Sequence, residues 1–192
     1  MRKVPITPTT LDGKVFRWGC QVEADWVRSH LDRQLAAIRS FAPHYVMGIP
    51  YGGFAYAQIL AEYLGCKFHP YNPAVVAALN EENLRLLLVD DSIGSGDTLR
   101  AARAAMPLGT QYQMAAIWVD RDYHTTNPVD YRYMFVTEPE VWYLGWWENW
   151  KDKIPPRRNS TGGLSFETSF DPMAYERIIR ELKGRGVLDS SI

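Results

Sequence analysis

An α/β fold built on a central, mostly parallel sheet flanked by helices is what this sequence predicts, and three observations predict it. Short apolar runs alternate with Ala-rich, helically periodic stretches. The most apolar run, Leu84 to Val89, has no polar residue but Arg85, as a strand covered on both faces requires. Two of the runs end in Gly-containing turns that lead straight into the next helix.

The elements follow in order. From Glu23 to Phe41, Trp26, Val27, Leu31, Leu35, Ile38 and Phe41 recur at three- and four-residue steps, which predicts one amphipathic helix stopped by Pro43. Tyr45 to Ile49 reads as a strand, Pro50-Tyr51-Gly52-Gly53 as a turn, and the stretch to Leu64 as a helix with Gly65 as its C-terminal cap. Leu84 to Val89 is the next strand, ended abruptly by Asp90 and Asp91. A Gly-rich turn, a helix from Thr98 to Met106, and strands at Tyr112 to Val119 and Tyr131 to Val136 complete the alternation. After Glu138 the composition shifts: Trp142, Trp146, Trp147 and Trp150 crowd one segment, and a polar loop holding Arg157 and Arg158 follows. Asp171-Pro172 offers an N-cap and first-turn proline for a last helix ending near Gly184.

The chain of 192 residues fits a single domain, with a core at about 23–137 and a hood plus C-terminal helix at about 138–192. A net charge of −1, from 21 basic and 22 acidic residues, gives no electrostatic reason to expect nucleic acid or an anionic membrane as partner. Cys20 and Cys66 lack metal-ligand spacing and form no disulfide framework. Met1-Arg2-Lys3-Val4-Pro5 is followed by no apolar run, and no stretch has the length and apolarity to span a bilayer, so a cytoplasmic protein with reduced thiols is expected.

The chemistry concentrates in Leu86 to Thr98, where a buried strand delivers Asp90 and Asp91 and then the loop Ser92-Ile93-Gly94-Ser95-Gly96-Asp97-Thr98 at a helix start. Small residues let backbone N–H groups converge on one anion, the helix N-terminus adds partial positive charge, and Ser95 and Thr98 add hydroxyl donors. Adjacent carboxylates repel each other, so a cation or a polyhydroxyl ligand beside them accounts for the pair. The plain alternative is a strand-to-helix turn whose aspartates merely cap the helix. The spacing has neither the Gly-Lys-Ser/Thr of a P-loop nor the Gly-x-Gly-x-x-Gly of a dinucleotide fold.

This segment resembles the signature with which type I phosphoribosyltransferases bind phosphoribosyl pyrophosphate (PRPP): a hydrophobic strand, two acidic residues, and a small-residue loop ending in threonine. Ile49-Pro50-Tyr51-Gly52-Gly53 is similar to the family's pyrophosphate loop, although many members carry a basic residue where Tyr51 stands. Trp142-Tyr143-Leu144-Gly145-Trp146-Trp147-Glu148 looks like the base-binding hood of the purine enzymes, closest in pattern to the xanthine-guanine and hypoxanthine group. The resemblance implies the family fold, its hood drawn from the C-terminal region with the N-terminal segment as a candidate contributor. It also implies Mg²⁺-dependent transfer of phosphoribose from PRPP to a nucleobase with release of pyrophosphate. By the same resemblance Asp90 and Asp91 hold the ribose hydroxyls and Mg²⁺, with Glu148 at a second ion, and Ser92 to Thr98 fix the 5′-phosphate. Tyr51, Gly52 and Gly53 receive pyrophosphate, and Trp142, Trp147 and Glu148 meet the base. For Trp146 and Trp150, and also for Trp142, a hydrophobic plug or subunit contact is the plain alternative.

Two positions depart from the 6-oxopurine pattern. Gly94 stands where those enzymes usually carry an aspartate, and Val119-Asp120-Arg121-Asp122 where they place a lysine. An acceptor-only carboxylate at Asp120 suits an amino or ring N–H donor, or else is a solvated loop charge; Arg121 is the candidate substitute cation. The base is therefore open between a 6-oxopurine or related purine, adenine and a pyrimidine. A non-catalytic regulator sensing PRPP or a nucleotide on the same fold is the second class of function, and a PRPP-forming pyrophosphokinase a third. A homodimer or higher homo-oligomer is the assembly the resemblance implies.

Overall fold

The computed structural model describes residues 1–11, 13–50, 52–79, 83–127, 131–146 and 180. Its centre is a six-stranded sheet with β3 (Tyr45–Gly48), β4 (Lys67–Pro70), β5 (Arg85–Val89), β6 (Ser92–Ile93), β7 (Gln111–Val119) and β8 (Arg132–Val136). The order is β4-β3-β5-β7-β6, β8 pairs β7, and each of these pairings is parallel. The expected α/β architecture with a parallel central sheet is what the chain forms.

Alternation along the strands divides the core into two layers. On one face Val46, Leu87, Val89, Ala115 and Ile117 pack with Val27 and Leu31, with Leu35 and Ile38 of α2 (Asp32–Phe41), and with Phe54 and Leu60 of α3 (Gly53–Leu64). On the other, Met47, Leu86, Leu88, Met114 and Ala116 pack with Val76 of α4 (Pro73–Leu79) and with Leu99 and Ala102 of α5 (Asp97–Ala104). The helix expected over 23–41 is divided into α1 (Ala24–His30) and α2, although Leu31 between them keeps helical angles (φ −58°, ψ −32°). It ends at Ala42 in the left-handed region, φ 50°, directly before Pro43.

A second, three-stranded sheet stands apart from the first: β1 (Arg2–Leu11), β2 (Lys14–Val22) and β9 (Val141–Gly145), in that order. β1 and β2 form an antiparallel hairpin turned at Gly13 (φ 76°), and β2 runs parallel to β9, with Trp142 opposite Gly19. The hairpin register shifts between Pro5 and Thr9, where Pro5 and Pro8 can donate no ladder hydrogen bond. Hence the N-terminal segment joins this second sheet through β9, a strand not expected from the tryptophan-rich segment that carries Trp142. The helix expected at 171–184 lies outside the described residues except for Arg180, which is helical and exposed. No helix among the described residues is long and apolar enough to cross a membrane.

Candidate functional site

The acidic pair sits where the sheet loses its regularity. Asp90 N–H still donates to Ala115 O (3.0 Å), but Asp91 O accepts from both Ile117 N (3.0 Å) and Trp118 N (3.3 Å). Beyond that point inward parity changes, and Ile93 packs with Leu86 and Leu88 rather than with Leu87 and Val89. The two carboxylates consequently see different surroundings. Asp90 is buried, 8% exposed, and its Oδ1 accepts from Asp91 N–H at 2.9 Å. Burial, then the charge of Asp91, pushes the Asp90 carboxyl well above the ordinary aspartate range. Asp91 is half-buried, accepts from Ser92 Oγ at 3.3 Å, and faces a cavity.

The preceding turn is pressed onto this pair. A Cβ on Gly52 would lie 2.7 Å from Asp91 Oδ2, and one on Gly53 would lie 2.9 Å from Asp90 Cα, so glycine here is a matter of close approach. The Gly53 N–H donates to Ile49 O (3.1 Å), which commits that amide to the first turn of α3. Tyr51 lies outside the described residues.

After Ile93 the chain makes its small-residue turn into α5. Gly94 and Ser95 are exposed, and Gly96 takes φ 76°, a left-handed conformation that glycine adopts without steric cost. Asp97 opens the helix with an exposed carboxylate that accepts from Ser95 Oγ (2.5 Å) and from Arg100 Nη2 (2.5 Å). The Ser95 hydrogen bond first, then Arg100, lowers its pKa, so the charge is kept but drawn toward Arg100.

A cavity of about 640 Å³ separates Asp91 to Gly94 from the hood, while Asp90, Gly52, Gly53 and Ser95 to Thr98 do not line it. Asp91, Ser92, Ile93 and Gly94 line one wall; Lys14, Phe16 and Trp142 line the hood side; Asp120 to Asp122 and Thr137 to Val141 close it. Trp142 is half-buried, its ring 6.0 Å from Phe16 and tilted by 44°. Trp146 packs against the core instead, and Trp147, Glu148 and Trp150 lie outside the described residues. Among the sequence candidates the fold therefore gathers Asp91, Ser92, Ile93, Gly94, Asp120 and Trp142 around one space.

Lys14 is a cavity residue that sequence reasoning missed. Its ammonium lies 2.8 Å from both oxygens of Asp120 and 2.8 Å from Asp122 Oδ2. Burial works to lower its pKa, but the Asp120 and Asp122 hydrogen bonds outweigh this and leave it raised. Asp120 Oδ1 also caps α6 (Arg121–Thr126), accepting from Asp122 N–H at 2.9 Å. The residues are 106 positions apart, so no local pattern announces the contact. Lys3 pairs with Glu138, and Arg17 with Glu140 at 3.3 Å, tying the same hairpin to the other cavity wall. Tyr143, which also borders the cavity, has its phenol pushed up to about 12, by burial first and then by Glu138.

No family model matches the chain, and no curated protein matches it in sequence. Solved structures do match its fold. A purine phosphoribosyltransferase from Pyrococcus horikoshii Ot3 superposes with a TM-score of 0.54 at 20% identity, over 68% of this chain and 94% of its own. The Helicobacter pylori xanthine-guanine-hypoxanthine phosphoribosyltransferase gives 0.53 at 13% identity, over 72% and 98%. A hypothetical protein from Neisseria gonorrhoeae with bound ppGpp gives 0.52 at 14%, over 69% and 90%. At these identities the likeness is one of fold, and the chain adopts the type I phosphoribosyltransferase fold.

Proposed function

We propose that the protein is a phosphoribosyltransferase that moves 5-phosphoribose from PRPP to a purine or purine-like base and releases pyrophosphate. The observation that carries this reading is a cavity lined on one side by Asp91 to Gly94, from the end of the acidic strand to the start of its small-residue turn, and on the other by Trp142. Its volume falls within the range of small-molecule sites.

In this reading the 5′-phosphate lies in the turn Gly94 to Thr98, at the N-terminal end of α5, with the Asp97 carboxylate held aside by Arg100. Asp91, open to the cavity, orients the ribose hydroxyls, and the buried Asp90 fixes the Asp91 backbone through its hydrogen bond. Since the Gly53 amide is committed to Ile49, pyrophosphate falls to the Gly52 N–H and to Tyr51. Trp142 offers the base a stacking face, and Asp120 with Lys14 offers its edge both an acceptor and a cation. The base nitrogen displaces pyrophosphate at the anomeric carbon, and the protein's contribution is position and electrostatics.

Two adjacent carboxylates, one of them destabilised by burial and by its neighbour's charge, fit a Mg²⁺ ion, which takes one or two carboxylates and completes its shell with phosphate oxygens and water. Bound there, the ion would neutralise the leaving pyrophosphate. Asp90 and Asp91 are the residues that would hold it, with Glu148 proposed for a second ion. A homodimer or higher homo-oligomer is the proposed assembly, and light scattering at several concentrations reads it.

The test is incubation with PRPP, Mg²⁺ and a panel of purine and pyrimidine bases, following pyrophosphate release and nucleotide mass together. A new nucleotide is expected with at least one base, and turnover is lost when Asp90 and Asp91 are both changed to Asn while the fold persists. Absence of both PRPP binding and turnover overturns the reading. A second reading, a regulator that senses PRPP or a nucleotide, draws support from Gly94, which brings no acid to the base, and from the fold's likeness to the Neisseria protein with ppGpp bound. Tight PRPP or ppGpp binding without product would establish it.

A further inference from the structure

The turn at Gly94 to Thr98 has almost nothing of its own to hold it. Gly94 has open space where a Cβ would stand, Gly94 and Ser95 are exposed, and Ser95 bonds to Asp97, which is itself drawn to Arg100 of α5. A turn of small residues in this state spends conformational entropy each time it orders around an anion. Gly96 is different: it is buried, and a Cβ placed on it would lie 2.6 Å from Cζ and 2.7 Å from Oη of Tyr123. Tyr123 projects from α6, the helix whose N-cap is Asp120, and its ring lies 5.6 Å from that of Tyr131, a buried core residue. It packs against the core layer that also holds Ile93 and Leu99, the apolar residues on either side of the turn.

We infer that Tyr123 is a positioning residue for this turn: its ring, braced on Tyr131, occupies the space beside Gly96 and keeps the anion-binding conformation formed before ligand arrives. Gly96 then has two reasons to be glycine, its left-handed φ and the ring that fills its Cβ position. The same short helix has Asp120 as its N-cap at the base side of the cavity, so one element touches both ends of the site. The identity of the anion as the 5′-phosphate of PRPP rests on the function proposed above; the bracing of the turn does not.

Two measurements keep these apart. Amide hydrogen exchange over residues 92–98 is followed in the ligand-free full chain for wild type, Tyr123→Phe and Tyr123→Ala, and binding of PRPP and of ribose 5-phosphate is measured by calorimetry. Tyr123→Phe keeps the ring and is expected to match wild type within about twofold. Tyr123→Ala is expected to speed exchange across the turn and to weaken both ligands by about tenfold or more, the cost of re-ordering about one backbone residue on binding. Where Tyr123→Ala fails to fold, Tyr123→Leu is read in its place with the same expectation. Unchanged exchange in the Ala or Leu variant overturns the inference, as does an equal loss in Phe and Ala, which would assign the effect to the hydroxyl. Faster exchange in a protein whose wild type binds neither ligand would uphold the bracing and refute the PRPP reading instead.

Discussion

Gly53→Ala is the change whose sign the structure reverses. Gly53 is the first residue of α3, and its predecessor Gly52 already has helical angles (φ −61°, ψ −38°), so no dihedral demands glycine. Helix propensity and unfolded-state entropy alone would favour alanine there by about 0.5–1 kcal/mol. The added methyl, however, would run into Val89 O and stand 2.9 Å from both Val89 C and Asp90 Cα, all backbone atoms. Val89 O cannot retreat cheaply, because it accepts from Ile49 N–H at 2.7 Å within the central sheet. Overpacking costs about 1–3 kcal/mol, and with three backbone atoms in the way the upper part of that range, about 2–3 kcal/mol, applies, leaving a net loss of about 1–2.5 kcal/mol after the propensity gain. In a chain of this size that corresponds to a Tm lowered by about 2–10 °C. Gly52→Ala makes the contrast, since its methyl meets the Asp91 carboxylate, a side chain able to rotate. Its melting point should fall less, while the displaced Asp91 costs turnover. Thermal melts and guanidinium titrations of both variants read the difference. A Gly53→Ala protein that melts at or above the wild-type temperature would refute the close-approach argument.

Other perturbations have equally definite outcomes. Burial and the Asp91 charge hold a proton on Asp90 where the unfolded chain has released it; the resulting stabilisation is complete below the ordinary aspartate value of 3.8 and is lost as pH rises through the raised folded value. Melts between pH 3 and pH 8 should therefore show a falling contribution in wild type that Asp90→Asn removes, and parallel curves would contradict it. Lys14→Ala breaks solvent-screened ion pairs at the cavity rim, so Tm should change little, while KM for the base rises and KM for PRPP does not. Trp142→Ala should raise the KM for the base by about 5- to 100-fold, the worth of one base stacked on an aromatic face, with Trp142→Phe retaining much of the affinity. Equal effects of Trp142→Ala on base and PRPP would place the ring elsewhere in the cavity.

The parallel sheet and its acidic turn were legible in the sequence because local signals wrote them. Leu86 to Val89 needs no partner to read as a doubly covered strand, and Asp90-Asp91 followed by Gly94 and Gly96 marks its end by composition alone. The N-terminal hairpin was not legible: Pro5 and Pro8 interrupt its pattern, and its stability comes from pairing with Val141–Gly145 at the far end of the described chain. The break at Leu31 was equally silent, because the apolar face continues through it. Asp120 shows the limit most clearly. By its residue type it is an acceptor, but its neighbours are chosen by the fold, which brings Lys14 across 106 positions to neutralise it. The same holds for Tyr123 against Gly96 and for the unequal burial of Asp90 and Asp91. Residue identity and spacing determined which chemical groups the chain carries and the local elements that present them. Charge pairing, close approach and desolvation depend on distances between segments remote in sequence, and those distances were decided by tertiary packing alone.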